Sequence, residues 1–146
     1  MPKSIEEVKV SIILPNYNSE SYLKETVESV INQTFKNWNL NIVDDNSNSE
    51  TKKILEKFMS HPKINIIWLK KNKGAGFCRN FAIRNSLADY IAFIDSDDIW
   101  DKEKLLKQLT FMINNNFHFT YTNYFTFETT IKGSLNEVKP KKYFTF

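Results

Sequence analysis

Residues 90–100 read YIAFIDSDDIW, an unbroken apolar and aromatic run, Tyr90–Ile94, that ends abruptly in Asp95-Ser96-Asp97-Asp98. A run this short, bounded by turn-forming residues, is the pattern of a strand buried inside a parallel sheet. The residues that follow such a strand face solvent at the sheet's carboxyl edge. Three carboxylates there, with no base between them, repel one another and gain proton affinity unless a cation sits among them. A hard divalent ion, Mg²⁺ or Mn²⁺, resolves that conflict when one or two carboxylates, phosphate oxygens and water hold it. The plainer alternative is a solvated turn in which Asp98 or Asp101 caps the next helix.

Working outward, the same strand-then-polar-edge unit recurs upstream. Val10–Leu14 (VSIIL) is a strand stopped by Pro15, and a helix over about 20–32 follows, with Leu23, Val27, Val30 and Ile31 on one face and Ser19 as N-cap. Leu40–Val43 is the second strand, ending at Asp44-Asp45, and Ser49 caps the helix that carries Ile54, Leu55 and Phe58. Ile64–Leu69 is the third, followed by the basic loop KKNKGAG and a helix over about 77–87. Downstream, Asp101 opens a helix bearing Leu105, Leu106, Leu109, Met112 and Ile113. Phe117–Phe125 alternates aromatic and polar residues, a strand with one buried face. Repeated βα units imply an α/β fold with a mostly parallel sheet. In such sheets ligands bind beyond the carboxyl ends of the strands. Pro15–Asn18, Asp44–Ser47, Lys70–Gly76 and Asp95–Asp98 therefore line the candidate site.

Composition narrows the function classes. The 146 residues suit one domain. Twenty basic against seventeen acidic residues leave a net charge of +3, too mild for a nucleic-acid binder or a polybasic membrane protein. One cysteine, Cys78, excludes a disulfide framework and fits a reducing, cytoplasmic setting. No apolar run approaches the ~20 residues of a membrane span, and MPKSIEEVK is no signal peptide. Only three glycines occur, and Gly74 and Gly76 share one loop.

That loop lacks the third glycine of a dinucleotide fingerprint, since Arg79 stands in its place, and lacks the Lys-Ser/Thr of a P-loop. What remains is an anion site at a helix N-terminus, with Lys70, Lys71, Lys73 and Arg79 nearby. Its plainer alternative is a solvated basic loop. Asp44-Asp45-Asn46-Ser47 reads equally as a turn into the next helix or as a carboxylate offered to a base or ribose. Tyr17 is either a packing residue or a ring that stacks on a base. His61, His118 and Cys78 read as structural, and no Ser-His-Asp or Cys-His set can be assembled.

Two phosphoryl-transfer classes share some of these features. A haloacid-dehalogenase domain places Asp-x-Asp on its first strand, not its fourth, and follows it with small residues rather than Ile99-Trp100. A two-component receiver would use Asp44, Asp45 and Asp95, but leaves Val10–Leu14 and the glycine loop without a role. All four edge segments together resemble inverting, family 2 glycosyltransferases of the GT-A fold: VSIILPNYNSESYLKETVESVINQTF, VDDNSNSET, NKGAGFCRNFAI and YIAFIDSDDIW, across about residues 8–125. The resemblance implies a Rossmann-like three-layer α/β/α sandwich, truncated at its C-terminus. Residues 1–125 would form the nucleotide-sugar-binding domain, and 126–146 a hairpin or tail that starts an acceptor-side half.

The resemblance also implies a ligand set. Pro15, Tyr17 and Asp45 would border the nucleotide base, with Tyr17 stacking on it and Asp45 accepting a base N–H. Asn18 and Gly74 would belong to the same nucleotide site, Arg79 would lie near the base, and Asp95 and Ser96 near the ribose. Asp97 would hold the Mn²⁺ or Mg²⁺ that bridges the diphosphate of a nucleoside-diphosphate sugar, uridine-linked by expectation. The acceptor would be a saccharide or lipid-linked saccharide of cell-surface polysaccharide or lipooligosaccharide synthesis, reached from the inner face of the membrane by peripheral association. A truncated, catalytically inactive nucleotide-sugar-binding domain is the alternative. An inverting transferase needs a carboxylate general base, and after Asp101 only Glu103, Glu128 and Glu137 remain, the last two flanking an expected Lys132-Gly133 turn. None has the expected context. Exposed aromatics over Phe117–Phe125 would favour a homo-oligomer.

Overall fold

The computed structural model describes residues 4–127 and 135–138, with side chains through residue 125. Four parallel strands form the sheet: β1 (Val10–Asn16), β2 (Trp38–Asp44), β3 (Ile64–Trp68) and β4 (Tyr90–Phe93), in the spatial order β3-β2-β1-β4. The strand order reverses at β1, so the crevice of an open α/β sheet falls between the carboxyl ends of β1, β2 and β4. Strand alternation sorts the core into two layers. Ile12, Leu14, Leu40 and Ile42 face α1 (Leu23–Ile31), α2 (Ser49–Glu56) and α4 (Lys104–Asn115), while Ile13 and Val43 face Cys78 and Ala82 of α3 (Ala75–Arg84). The result is the expected α/β/α sandwich. A separate antiparallel ribbon pairs β5 (Tyr124–Phe127) with β6 (Leu135–Val138).

Several boundaries differ from the sequence reading, each for a local reason. β1 does not stop at Pro15 but runs through it, with Pro15 opposite Val43. Asn16 bonds toward β2, accepting the Asp45 N–H, and Ile13 bonds toward β4, accepting the Ile94 N–H. Pro15 shares Ile13's side, where β4 has already ended, so its missing N–H leaves no ladder bond broken. Ser19 does not cap α1. Its hydroxyl turns onto the Asn16 side chain, and the helix starts later, at Leu23. Asn48, not Ser49, caps α2, accepting the Thr51 N–H at 2.8 Å. Asp101 shapes a turn ahead of α4 by accepting the Glu103 N–H, and the helix begins at Lys104.

Two larger corrections concern burial. β4 is only half-buried, and Phe93 is 49% exposed, because among the described residues β1 is its sole strand neighbour. Phe117–Phe125 is not a strand with a buried face. The chain leaves α4 through left-handed Asn116, with φ of 54°, and residues 117–123 take no partner strand. Phe119, Tyr121, Tyr124 and Phe125 are all exposed. Period-two alternation supplies a face but not a sheet to lay it on. The expected Lys132-Gly133 turn lies outside the described residues.

Leu14 is fully buried beneath α1 and the centre of the sheet. Leu14→Ala removes side-chain burial and leaves a cavity, so unfolding in urea should show a loss of about 2–5 kcal/mol with an unchanged m-value.

Candidate functional site

The carboxyl ends of β1 and β2 are locked by a buried polar knot. Asp44 is completely buried and accepts the Asn16 side-chain amide at 2.8 Å and the Ser47 backbone N–H at 3.1 Å. Ser47 Oγ in turn accepts the Asn18 N–H at 3.0 Å, and Asn18 Oδ1 accepts the Asn48 N–H at 2.8 Å. Asn18 and Asn46 adopt left-handed backbone, with φ of 47° and 63°, which asparagine tolerates better than most residues. Of the two readings of this acidic pair, Asp44 takes the turn-forming one.

Asp45 points elsewhere. Its Oδ1 accepts the Lys73 N–H and its Oδ2 the Gly74 N–H, each at 2.7 Å, and the residue is 2% exposed. Both oxygens thus hold the glycine loop against the second strand, and any ligand edge reaching Asp45 must use their remaining lone pairs. Gly74 sits at φ of +85°, a left-handed position that a side chain would strain, and it is the N-cap of α3. That turn starts α3 two residues before Phe77. Lys70, Lys71 and Lys73 remain exposed.

Cys78 packs one helical turn into α3 and is fully buried. Burial, reinforced by the Asp45 and Asp44 carboxylates, pushes its thiol up to about 11. A core role rather than a nucleophilic one follows. His61 is structural as expected, stacking on Trp38 at 6.1 Å and accepting the Lys63 N–H.

On the other side of the crevice Arg79 forms an ion pair and hydrogen bond with Asp95, tying α3 to the end of β4. Tyr17 is 52% exposed, whereas Pro15 is buried in β1. Asp97 and Asp98 are exposed on the turn after β4. Partial desolvation of its carboxyl, then the Asp95 and Asp97 charges, raises the proton affinity of Asp98 above its ordinary value. Of the edge's five carboxylates, Asp97 alone has no hydrogen-bond or ion-pair partner among the described residues. Glu103 is turned onto Lys107 at 2.8 Å, away from a base's role. Glu128 lies outside the described residues, as does the side chain of Glu137.

The carboxylates fit a particular kind of metal site. Among the described residues no group of three His, Cys, Asp or Glu could hold an ion by itself. An ion of the Mg²⁺ class needs only one or two carboxylates when phosphate oxygens and water complete its shell. Asp97, unpartnered among the described residues, and the neighbouring Asp98 are the carboxylates that could supply such a shell.

The segment whose anchoring sequence reasoning missed runs from the acidic turn to the start of α4. Buried Thr26, Ser29 and Gln33 bond to its backbone. The signal was present as polar residues at helical spacing beside the apolar stripe of α1.

A parallel sheet in this order, with acidic and polar loops along its carboxyl edge, is the GT-A form of the Rossmann-like fold. The chain belongs to glycosyl transferase family 2, which it matches over residues 11–144. TuaG of Bacillus subtilis (strain 168), named as a teichuronic acid biosynthesis glycosyltransferase, is 41% identical over 116 residues, 79% of this chain and 46% of TuaG. WfgD of Escherichia coli, a UDP-Glc:alpha-D-GlcNAc-diphosphoundecaprenol beta-1,3-glucosyltransferase, is 40% identical over 121 residues, 82% of this chain and 47% of WfgD. The crystal structure of S. aureus TarS 1-349 in complex with UDP superposes with a TM-score of 0.69 at 33% identity, covering 74% of this chain and 33% of that one. The chain spans about half the length of the curated relatives it matches. This membership sets aside the receiver and haloacid-dehalogenase readings. No described helix is long and apolar enough to cross a membrane.

Two outcomes follow from this geometry. Asp45→Asn removes one acceptor from the loop clamp and should destabilise the fold by about 1–3 kcal/mol, with faster amide hydrogen exchange at Lys73 and Gly74 than elsewhere. Native Cys78 should react with iodoacetamide at pH 8 at least about a hundredfold more slowly than in urea-unfolded chain, because its thiol is buried and its thiolate scarce.

Proposed function

We propose that this chain is the donor side of a glycosyltransferase that takes a sugar from a UDP-linked donor, with Mn²⁺ or Mg²⁺, for an inverting transfer in cell-surface polysaccharide synthesis. The observation that carries it is the state of Asp97: an unpartnered carboxylate, beside one of raised proton affinity, at the crevice where strand order reverses. TarS bound to UDP and WfgD named for UDP-glucose support the uridine nucleotide.

Each residue has a part in that reading. The exposed Tyr17 ring stacks on the base, against a wall formed by Pro15, Asn18 and the Gly74 loop. Asp45 accepts a base N–H while keeping its bonds to the loop. Arg79 lies near the base and holds Asp95, which, with Ser96 nearby, meets the ribose. Asp97 takes the cation, with Asp98 adjoining it. When bound, the cation neutralises charge that develops on the departing diphosphate. Around it, the chain's own contribution is preorganisation: the turn is held before the ligand arrives, so little reorganisation is needed on binding.

Transfer also needs a general base and an acceptor site. Among the described residues no free carboxylate beyond Asp101 is placed for the first, so donor binding is the function assigned to this chain, and lipid-linked saccharides of the kind named for WfgD are the acceptor class. Such an acceptor would bring the protein to the inner face of the cell membrane.

Calorimetric titration with UDP, with and without Mn²⁺, tests the reading. Binding should strengthen with the metal, and Asp97→Asn should abolish the metal-dependent gain while leaving the metal-free affinity in place. Metal-independent binding that survives Asp97→Asn unchanged would overturn the assignment.

A further inference from the structure

α1 carries two faces rather than one. Beside the apolar stripe of Leu23, Val27 and Val30 runs a polar row, Thr26, Ser29 and Gln33, the last just past the helix end, and all three are buried. Buried polar groups cost free energy unless bonded, and each of these three, besides a bond to a carbonyl one turn back along the chain, reaches a partner within residues 96–105. Thr26 Oγ1 donates to the Ser96 carbonyl at 3.0 Å. Ser29 Oγ accepts the Trp100 N–H at 3.2 Å. Gln33 uses both ends of its amide, donating to the Asp101 carbonyl at 2.7 Å and accepting the Leu105 N–H at 3.1 Å. The Thr34 N–H adds a bond to the Lys102 carbonyl at 2.8 Å. One rigid helix and its C-terminal turn therefore grip the whole stretch from the middle of the acidic motif to the start of α4.

The first of these bonds falls at the decisive peptide. The Ser96 carbonyl belongs to the amide plane that joins Ser96 to Asp97, and among the described residues the Asp97 side chain has no partner to orient it. The placement of its carboxylate therefore rests on the backbone that carries it, and Thr26 is a buried side chain that bonds to that backbone. Ser29 and Gln33 hold the exit of the loop, beyond the carboxylates. This arrangement is what a ligand that must present oxygens to a cation requires, since a metal ligand is only as well placed as the groups behind it.

We propose that Thr26 is a positioning residue for the cation–diphosphate site, acting on Asp97 through the Ser96 carbonyl. The proposal rests on the reading that Asp97 takes the cation, and the experiment separates the two. UDP is titrated with and without Mn²⁺ against the wild-type chain, Thr26→Val and Thr26→Ser, with thermal unfolding of each recorded alongside. Thr26→Val keeps the shape and loses the donor, and should cut the Mn²⁺-dependent gain in UDP affinity by about tenfold with metal-free UDP affinity unchanged. Thr26→Ser, which keeps the hydroxyl, should restore the gain. A full gain in Thr26→Val overturns the proposal while leaving the metal reading intact. So does loss of metal-free UDP binding in step with the gain, or failure of Thr26→Ser to restore it, since either marks a packing role. A wild-type chain that shows no gain from Mn²⁺ overturns the metal reading, and this proposal with it.

Discussion

The buried carboxylate of Asp44 is the constraint around which the candidate site is arranged. A polar group with no exposure is tolerated only when it is hydrogen-bonded, and the two donors to Asp44, the Asn16 amide and the Ser47 N–H, come from segments at the ends of two adjacent strands. Satisfying Asp44 therefore fixes where the β1 and β2 loops begin. Left-handed turns at Asn18 and Asn46 follow from that geometry, as does the capping of α2 by Asn48, whose own N–H is taken by Asn18. Asp45, the residue just past the end of β2, points away from that knot. It meets the glycine loop instead, and so the third edge segment is tied to the second.

The fourth segment, the acidic turn, is anchored differently. It is bonded not to its neighbouring loops but to α1, through side chains that the apolar stripe carries down into the core. Arg79 supplies the remaining link, from α3 to Asp95. The four loops are thus held by four separate devices, and the carboxylates among them keep only part of their acceptor capacity for a ligand. What is left over is chemically specific: an aromatic ring at Tyr17, the free carboxylate of Asp97, and Asp98 with its raised proton affinity.

The sheet and the helices on it were legible because their signals are local. Short β-branched runs and helical stripes need only the period of their own element, and all four parallel strands and four helices fall where those periods place them. What misled was information held by a neighbour. Whether Tyr90–Phe93 is buried depends on a strand beside it, and whether Phe117–Phe125 pairs depends on a sheet to receive it. Ser19 and Asp101 have good capping chemistry, yet each spends it on a nearby turn, shifting the helix start by a few residues. The edge residues were legible as a set, since a parallel sheet gathers its strand ends. Their division of labour was not, because Asp44 and Asp45 are indistinguishable in composition and differ only in which neighbouring segment each meets, Asp44 at the last position of β2 and Asp45 just past it.

That division explains how so acidic an edge is compatible with a stable fold. Five like charges along one side of a crevice should repel strongly. Asp44 and Asp45 are spent on backbone and amide N–H groups, and Asp95 on a guanidinium, so their charge is offset within the chain. Asp97 and Asp98 keep theirs and remain at the surface, where water screens the repulsion at modest cost. Bringing a diphosphate to that spot without a cation would add anionic oxygens to uncompensated carboxylates. With a divalent ion between them the same approach becomes attractive. On the proposed reading, the residual charge is the part of the fold that would select what binds: a cation alone would find too few ligands there, a diphosphate alone the wrong sign, and the two together would satisfy the site.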